Sequence, residues 1–473
     1  MAFLVTLAVT SLTWLCPQGD STQSGSARPA LLSAAEQASL RDKMVKYLDA
    51  EEAYERAESA KDRERTGKAK DKAKEAMQKE WDLRSKKGNL LASPADLRAI
   101  YDNCFVVPSP KASLGTFRKD KDRDSGIEFS FYLPKSYKAD KPSRCVLVLP
   151  GTVSETAAGW REGDRYFEDV WDKTGLLADS IVHVVHMPAG MEMDPVPDFG
   201  RDGQEAQEQK RIEAVFGSFR ATNLAYNVDR ARLFLDCGRG NSGFGLRFVS
   251  MFPDRFAGLL LRQPVVPEGL RYGSLSGVPI LLLKSSKTAA AVDELQKQLA
   301  AAAADAVTVL EVSDDYPHKG AAGEIETWIG KQRRNMVPTR VVIEPNHDRF
   351  KKAYWVSMGN MDPLHTTPKD KRARIEVTAD RTSNRIVVQA RGVENFTLML
   401  NDELLDLDKE FTIVVNDKVA TEKRTRDPYG LQTRLVQRKD WEYLFTVEYS
   451  SMVPKAAANS EKPAEPGAAG DGK

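Results

Sequence analysis

The chain has 473 residues, with 69 Lys and Arg against 68 Asp and Glu, a formal charge of +1. Its 41% hydrophobic content can fill a core and excludes a fully disordered chain. The charge balance argues against bulk binding of nucleic acid, and beyond the N-terminus no apolar run reaches the roughly 18–20 residues that span a bilayer.

At about 100–200 residues per domain, the length predicts two to four units. Residues 1–19 read as an export signal, because MAFLVTLAVTSLTWL is apolar, although its basic start is missing apart from the α-amino group. The expected location is periplasmic or extracellular. Leu15 stands before Cys16 where lipid attachment wants a small residue, so lipidation is not expected. A polar linker follows at 20–30. The other cysteines are Cys104, Cys145 and Cys237. No C-x-x-C spacing exists, so no zinc site is expected, and Cys145 and Cys237 read as buried thiols in apolar strands.

Residues 31–105 predict a helical arm rich in Ala, Glu, Lys and Arg. Ser33-Ala34-Ala35-Glu36 is a capping box, with Leu32 as its staple. Met44 and Leu48 make a thin apolar stripe, and interspersed charges from 61 to 80 predict a solvated face. Gly88-Asn89 stops the helix, and Ser93-Pro94-Ala95-Asp96 starts a short one running to about Cys104.

From 106 to 335 the pattern becomes α/β. Apolar runs at 127–133, 144–149, 180–186, 232–237, 257–261, 278–283 and 306–312 predict strands. Helices are predicted over 211–226, from the glycine-rich turn after Cys237 to Phe252, and over 324–334. Continuous apolar strands alternating with helices imply a doubly wound, mostly parallel sheet covered on both faces.

Asn227-Val228-Asp229, LFLDC and LRFVSMFPDRFAG stand in the order of a nucleophile region, and YLPKSY with VLVLPG stand ahead of them. This region resembles the α/β-hydrolase family, and within it secreted esterases related to feruloyl esterases and polyhydroxyalkanoate depolymerases. The resemblance covers about 127–335. It implies a sharp strand–turn–helix elbow that presents a Ser hydroxyl, an oxyanion turn at Gly151-Thr152, an acid after VPILLLK and a histidine base.

The catalytic residues depart from that pattern. An ungapped alignment puts Arg239 at the nucleophile position, and a one-residue shift puts Gly240 there. The nearest hydroxyl is Ser242, at the start of the following helix. Thr288 stands where the acid is expected, with Asp293 as a distant fallback. His318 stands where the resemblance places the base. A triad works as a unit, so the site reads as degenerate. The alternative is an active serine esterase or depolymerase using Ser242 with His318. The strand ends also carry His186, Arg239, Arg262 and Lys284. With the backbone N–H groups of Gly238, Gly240 and Gly243 they suggest an anion pocket. The competing expectation is that these cations pair with Asp194, Asp198 and Glu155.

Short β-type runs at 340–343, 373–378, 385–390, 396–400, 411–415 and 443–449 predict a small β-sandwich over 338–453. Asp402, Asp406 and Asp408 read as turn residues rather than calcium ligands, and Tyr354 and Trp355 as core. Residues 454–473 are expected to be a disordered tail. No metal or cofactor is implied. The expected function is an exported binding or scaffold module taking a small molecule or polymer.

Overall fold

The computed structural model describes residues 29–151, 167–171, 174–186, 193–194, 203–304, 306–313 and 316–454. The signal segment, most of the linker, Thr152, Glu155, Asp198 and the tail from 455 lie outside these residues.

The arm is a pair of helices, α1 (Ala34–Glu55) and α2 (Ala60–Ser85), followed by α3 (Pro94–Tyr101). Ser33 and Glu36 form the capping box at the start of α1. The composition predicts helix through 56–59. The chain instead breaks there, because the Ser59 hydroxyl accepts the Asp62 N–H and starts a new helix. The outer face of α2 is solvated. The thin stripe of α1 is buried through Leu40, Met44, Tyr47 and Leu48. It packs with Leu97, Ile100 and Tyr101, and with Leu431 and Leu435 of α8 (Pro428–Arg438), a helix not expected from the sequence. The arm therefore docks on the C-terminal unit.

The central domain holds an eight-stranded sheet in the order β1-β2-β4-β3-β5-β6-β7-β8. Its strands are β1 (Phe117–Lys121), β2 (Glu128–Tyr132), β3 (Ser143–Leu149), β4 (Ser180–Val185), β5 (Val228–Cys237), β6 (Gly258–Leu261), β7 (Ile280–Lys284) and β8 (Val307–Glu311). β2 runs antiparallel to both neighbours, and the pairs from β4 to β8 are parallel. The exposed, charged β1 gave no apolar signal in the sequence.

The continuous apolar runs follow from burial on both faces. Leu147, Leu235, Leu259 and Leu282 meet α4 (Gln204–Ala225), α5 (Ser242–Met251) and α6 (Ala289–Ala301). Their neighbours Val146, Val148, Phe234, Leu260 and Leu281 face the opposite layer, where α7 (Ala322–Lys331) supplies Ile325, Trp328 and Ile329. Every residue of α5 is buried, as befits a helix that is largely apolar all round. The thiols of Cys104, Cys145 and Cys237 are buried and unpaired.

The C-terminal unit is a sandwich. One sheet contains β9 (Arg340–Ile343), β12 (Arg374–Asp380), β13 (Arg385–Arg391), β15 (Phe411–Val415) and β16 (Lys418–Glu422). The other contains β10 (Lys352–Ala353), β11 (Val356–Met358), β14 (Asn395–Leu400) and β17 (Val447–Met452). Their inner faces share one core around Ile375, Ile386, Phe396 and Leu398. Tyr354 and Trp355 lie in that core, with Trp355 donating to the Pro338 carbonyl at 2.7 Å. Asp402 and Asp408 both engage the Arg426 guanidinium. Asp406 pairs with Lys409 at 3.0 Å. The last strand begins at Val447, four residues later than read from the sequence, because 440–444 form turns around the buried Asp440.

Candidate functional site

The candidate site lies beyond the carboxyl ends of the parallel strands. β5 ends at Cys237, and the turn Gly238-Arg239-Gly240-Asn241 leads into α5 at Ser242. The Gly238 N–H donates to the Leu149 carbonyl at 2.9 Å, and the Asn241 side chain donates to the Pro150 carbonyl at 2.9 Å. This turn therefore lies against the one that follows β3. A Cβ on Gly151 would stand 2.0 Å from the Arg239 nitrogen, and one on Gly238 would stand 2.2 Å from the Gly151 nitrogen. Only glycine permits that backbone approach.

Gly240 has φ +80°, and a Cβ placed there would meet open space. Gly240 is thus the residue of this turn with a left-handed backbone, a conformation that glycine adopts without steric cost. Arg239 sits one residue before it. Gly240 carries no side chain at that position. Ser242 is buried, and its hydroxyl donates to the Gln263 carbonyl at 2.8 Å. A hydroxyl has one proton to donate, and here it is committed to a carbonyl rather than to a base.

Thr288 is also committed. Its hydroxyl accepts the Ser285 N–H at 2.9 Å and closes the turn before α6. Asp293 pairs with Lys284 at 3.0 Å, and Lys284 reaches Glu311 as well. His318 is buried in a left-handed conformation with φ +65°. It lines a polar cleft of about 130 Å³ with Arg239, Gln263, Ser285, Thr288 and Tyr316. Arg239 is exposed there. Its Nε donates to the Gln263 side chain at 2.8 Å, and its guanidinium lies 4.8 Å from the Tyr316 ring centre. Tyr316 in turn accepts the Arg239 N–H at 3.0 Å.

Gly238 and Gly240 flank Arg239 in the turn, whereas His186, Arg262 and Lys284 find partners elsewhere. Arg262 is buried and grips Asp236 through Nε at 2.9 Å and Nη2 at 3.0 Å. Trp171 donates to the same carboxylate at 3.0 Å. The Nη1 of Arg262 donates to the Pro317 carbonyl at 3.2 Å, next to His318, so the pair positions the histidine loop. His186 lies at the end of β4, 2.9 Å from the Ser130 hydroxyl. The helix N-terminus behind the elbow is filled by the protein itself. The Asp194 carboxylate accepts the Gly243 N–H at 2.7 Å and lies 3.4 Å from the Phe244 nitrogen. Burial raises its carboxyl above the usual range, against the pull of those two N–H groups. Arg247 holds this segment, donating to the Met193 carbonyl at 3.0 Å and to Glu208 at 2.8 Å, both within the core.

A second hydroxyl–imidazole pair lies deeper. His183 touches Thr222 at 2.8 Å and Ser218 at 3.2 Å, and burial pushes its ring down to about 3. The Ser218 hydroxyl donates to the Val215 carbonyl, so it accepts from His183 rather than giving it a proton.

The sequence reading missed Asp236, Gln263 and Tyr316. An Asp inside the apolar run LFLDC was the available signal, because a carboxylate buried in a strand requires a partner. Gln263 and Tyr316 carried none.

The strand order, the single reversed strand β2 and the elbow between β5 and α5 together decide the fold. The central domain is an α/β-hydrolase fold. No protein-family model matches the chain, and a search of the curated proteins found no match. Similar solved structures include a thermostable esterase, 17% identical over 46% of this chain and 63% of that one, with a TM-score of 0.33. The chain thus spans less than two thirds of that esterase. A ferulic acid esterase from the anaerobic fungus Anaeromyces mucronatus is 14% identical over 48% of this chain and 94% of its own, with a TM-score of 0.35. A fluorophosphonate-binding serine hydrolase from Staphylococcus aureus is 10% identical over 46% and 99%, with a TM-score of 0.33. Among the described residues no helix is long and apolar enough to cross a membrane.

Proposed function

We propose that this is an exported α/β-hydrolase-fold protein that binds rather than hydrolyses, taking a small polar or anionic ligand in the cleft between Arg239 and His318. The observation that carries this reading is the bare turn position at Gly240, with φ +80° and open space where a nucleophile would project. The committed hydroxyls of Ser242 and Thr288 support it. A cation at the rim and hydroxyls around a small cleft suit a carboxylate or phosphate.

A hydrolytic reading draws on one observation, the 2.9 Å contact between the Ser130 hydroxyl and His186. Incubation of the full chain with a fluorophosphonate probe and with p-nitrophenyl acetate separates the two. The expected result is no labelling and no turnover above the heat-denatured protein. Labelling that disappears in Ser130→Ala or Ser242→Ala overturns the binding reading. Titration with inorganic phosphate and acetate, compared with Arg239→Gln, tests the ligand class. Equal affinity in the two proteins removes Arg239 from the site.

A further inference from the structure

The arm, the central domain and the β-sandwich unit meet at a second cleft of about 350 Å³, far from the elbow in sequence and independent of its reading. Phe105 and Trp441 contribute rings tilted by 45° to each other, with centroids 6.5 Å apart, and Tyr226 also lines the cleft. Val106 and Leu224 also line it and are 56% and 51% exposed, so they leave apolar surface in water at its mouth. Sites for small organic ligands have this character: concave, of about 300–1,000 Å³, apolar and aromatic, placed between domains and carrying a few polar groups.

The polar group here is Arg230, half-buried in the lining of the cleft. Among the described residues no carboxylate lies within ion-pair distance of it. The carboxylate that acts on it, Asp440, is already held by two Arg334 N–H groups at 2.9 Å. Burial, with Arg255, Arg334 and Arg438 nearby, lowers the Arg230 guanidinium to about 10. Of the other cleft charges, Glu52 engages Lys439 at 2.7 Å and also Arg56. Three cations and two carboxylates (Asp49 and Glu52) line the cleft in all, leaving one positive charge over.

An apolar mouth, an aromatic wall and one unmatched guanidinium complement a single kind of molecule. We infer that this cleft binds an amphipathic carboxylate, with its head on Arg230 and its hydrocarbon part against Phe105, Tyr226 and Trp441. The guanidinium fork matches a carboxylate, and the tail would cover Val106 and Leu224.

The full chain is titrated with octanoate and, separately, with octanol, following tryptophan fluorescence. The Trp441→Phe protein identifies the signal from the cleft. Octanoate is expected to give a saturable change, and octanol to bind at least about tenfold more weakly, the factor expected of a charge-assisted hydrogen bond. Arg230→Met is expected to weaken octanoate by about the same factor and leave octanol unaltered. Leu224→Asp, on the surface, is expected to weaken both. Equal affinity for octanoate and octanol, or no saturable change, overturns the inference. If Arg230→Met alters the far-ultraviolet circular dichroism, Leu224→Asp decides, and unchanged octanoate affinity in that protein overturns it.

Discussion

The Asp194 carboxylate stands 2.7 Å from the Gly243 nitrogen, so the helix behind the elbow already carries an anion of its own. An internal carboxylate occupies the place where an external one would be drawn by the exposed N–H groups. Because burial raises this carboxyl, the folded state keeps its proton to higher pH than the unfolded chain does. Stability contributed here therefore falls as pH rises upward from the ordinary carboxylate range. Asp194→Asn keeps an acceptor for Gly243 and loses that pH dependence. Asp194→Ala leaves the N–H unmet and is expected to cost about 1 kcal/mol. Urea denaturation of the three proteins between pH 4 and 7 checks both statements.

Arg262→Met leaves the fully buried Asp236 carboxylate without its cation. The expected loss is about 3–5 kcal/mol, as for other broken buried pairs. The combined Asp236→Leu and Arg262→Met protein is expected to recover part of it, since no charge is then left uncompensated. Denaturant titration gives the difference. The indole N–H of Trp171 loses its acceptor only where Asp236 is replaced, and its fluorescence reports this.

Two glycines of the site respond oppositely to a methyl group. Gly240→Ala pays only the strain of a positive φ, about 1 kcal/mol, because the space is open. Gly151→Ala drives its Cβ to 2.0 Å from the Arg239 nitrogen, a backbone atom that cannot give way alone. It is expected to cost at least about 3 kcal/mol or to prevent folding. Thermal denaturation of the two variants ranks them.

Asp440 lies buried between the central domain and the sandwich. Burial pushes its carboxyl up, but Arg334, Arg438 and Arg230 outweigh that and hold it well below the usual range. Its contribution to stability is therefore present above about pH 4 and lost as pH falls through and below that range. Asp440→Asn is expected to lower stability at neutral pH by about 3–5 kcal/mol and to flatten the acid limb of the stability curve. Denaturation from pH 7 to pH 3 distinguishes this from a change that is uniform in pH.

Much of the fold was legible. Seven apolar runs, the Ser33 capping box and the Ser93 cap mark local preferences, and the runs survive packing when both faces of a strand are buried. The charged β1, the short β10 and β11, the exposed β16 and the helix α8 escaped because their register depends on neighbours rather than on their own apolar content. The site was half legible. Arg239 and Gly240 in the turn and Thr288 after β7 can be read from residue identity. The left-handed backbone of Gly240 is an angle that residue identity alone does not give.

The even balance of charge, 69 against 68, set a limit that belongs to the sequence alone: no excess of cations for bulk polyanion binding. Where each charge lies was decided by the tertiary structure. Arg262, Lys284 and Arg239 all stand at strand ends, yet packing sends the first to Asp236 and the second to Asp293 and Glu311. Only Arg239 is turned toward the cleft. The physical reason is that burial makes an uncompensated guanidinium costly and so favours pairing with a carboxylate, while an exposed one is readily left to solvent or to a ligand. Burial is a property of the folded chain.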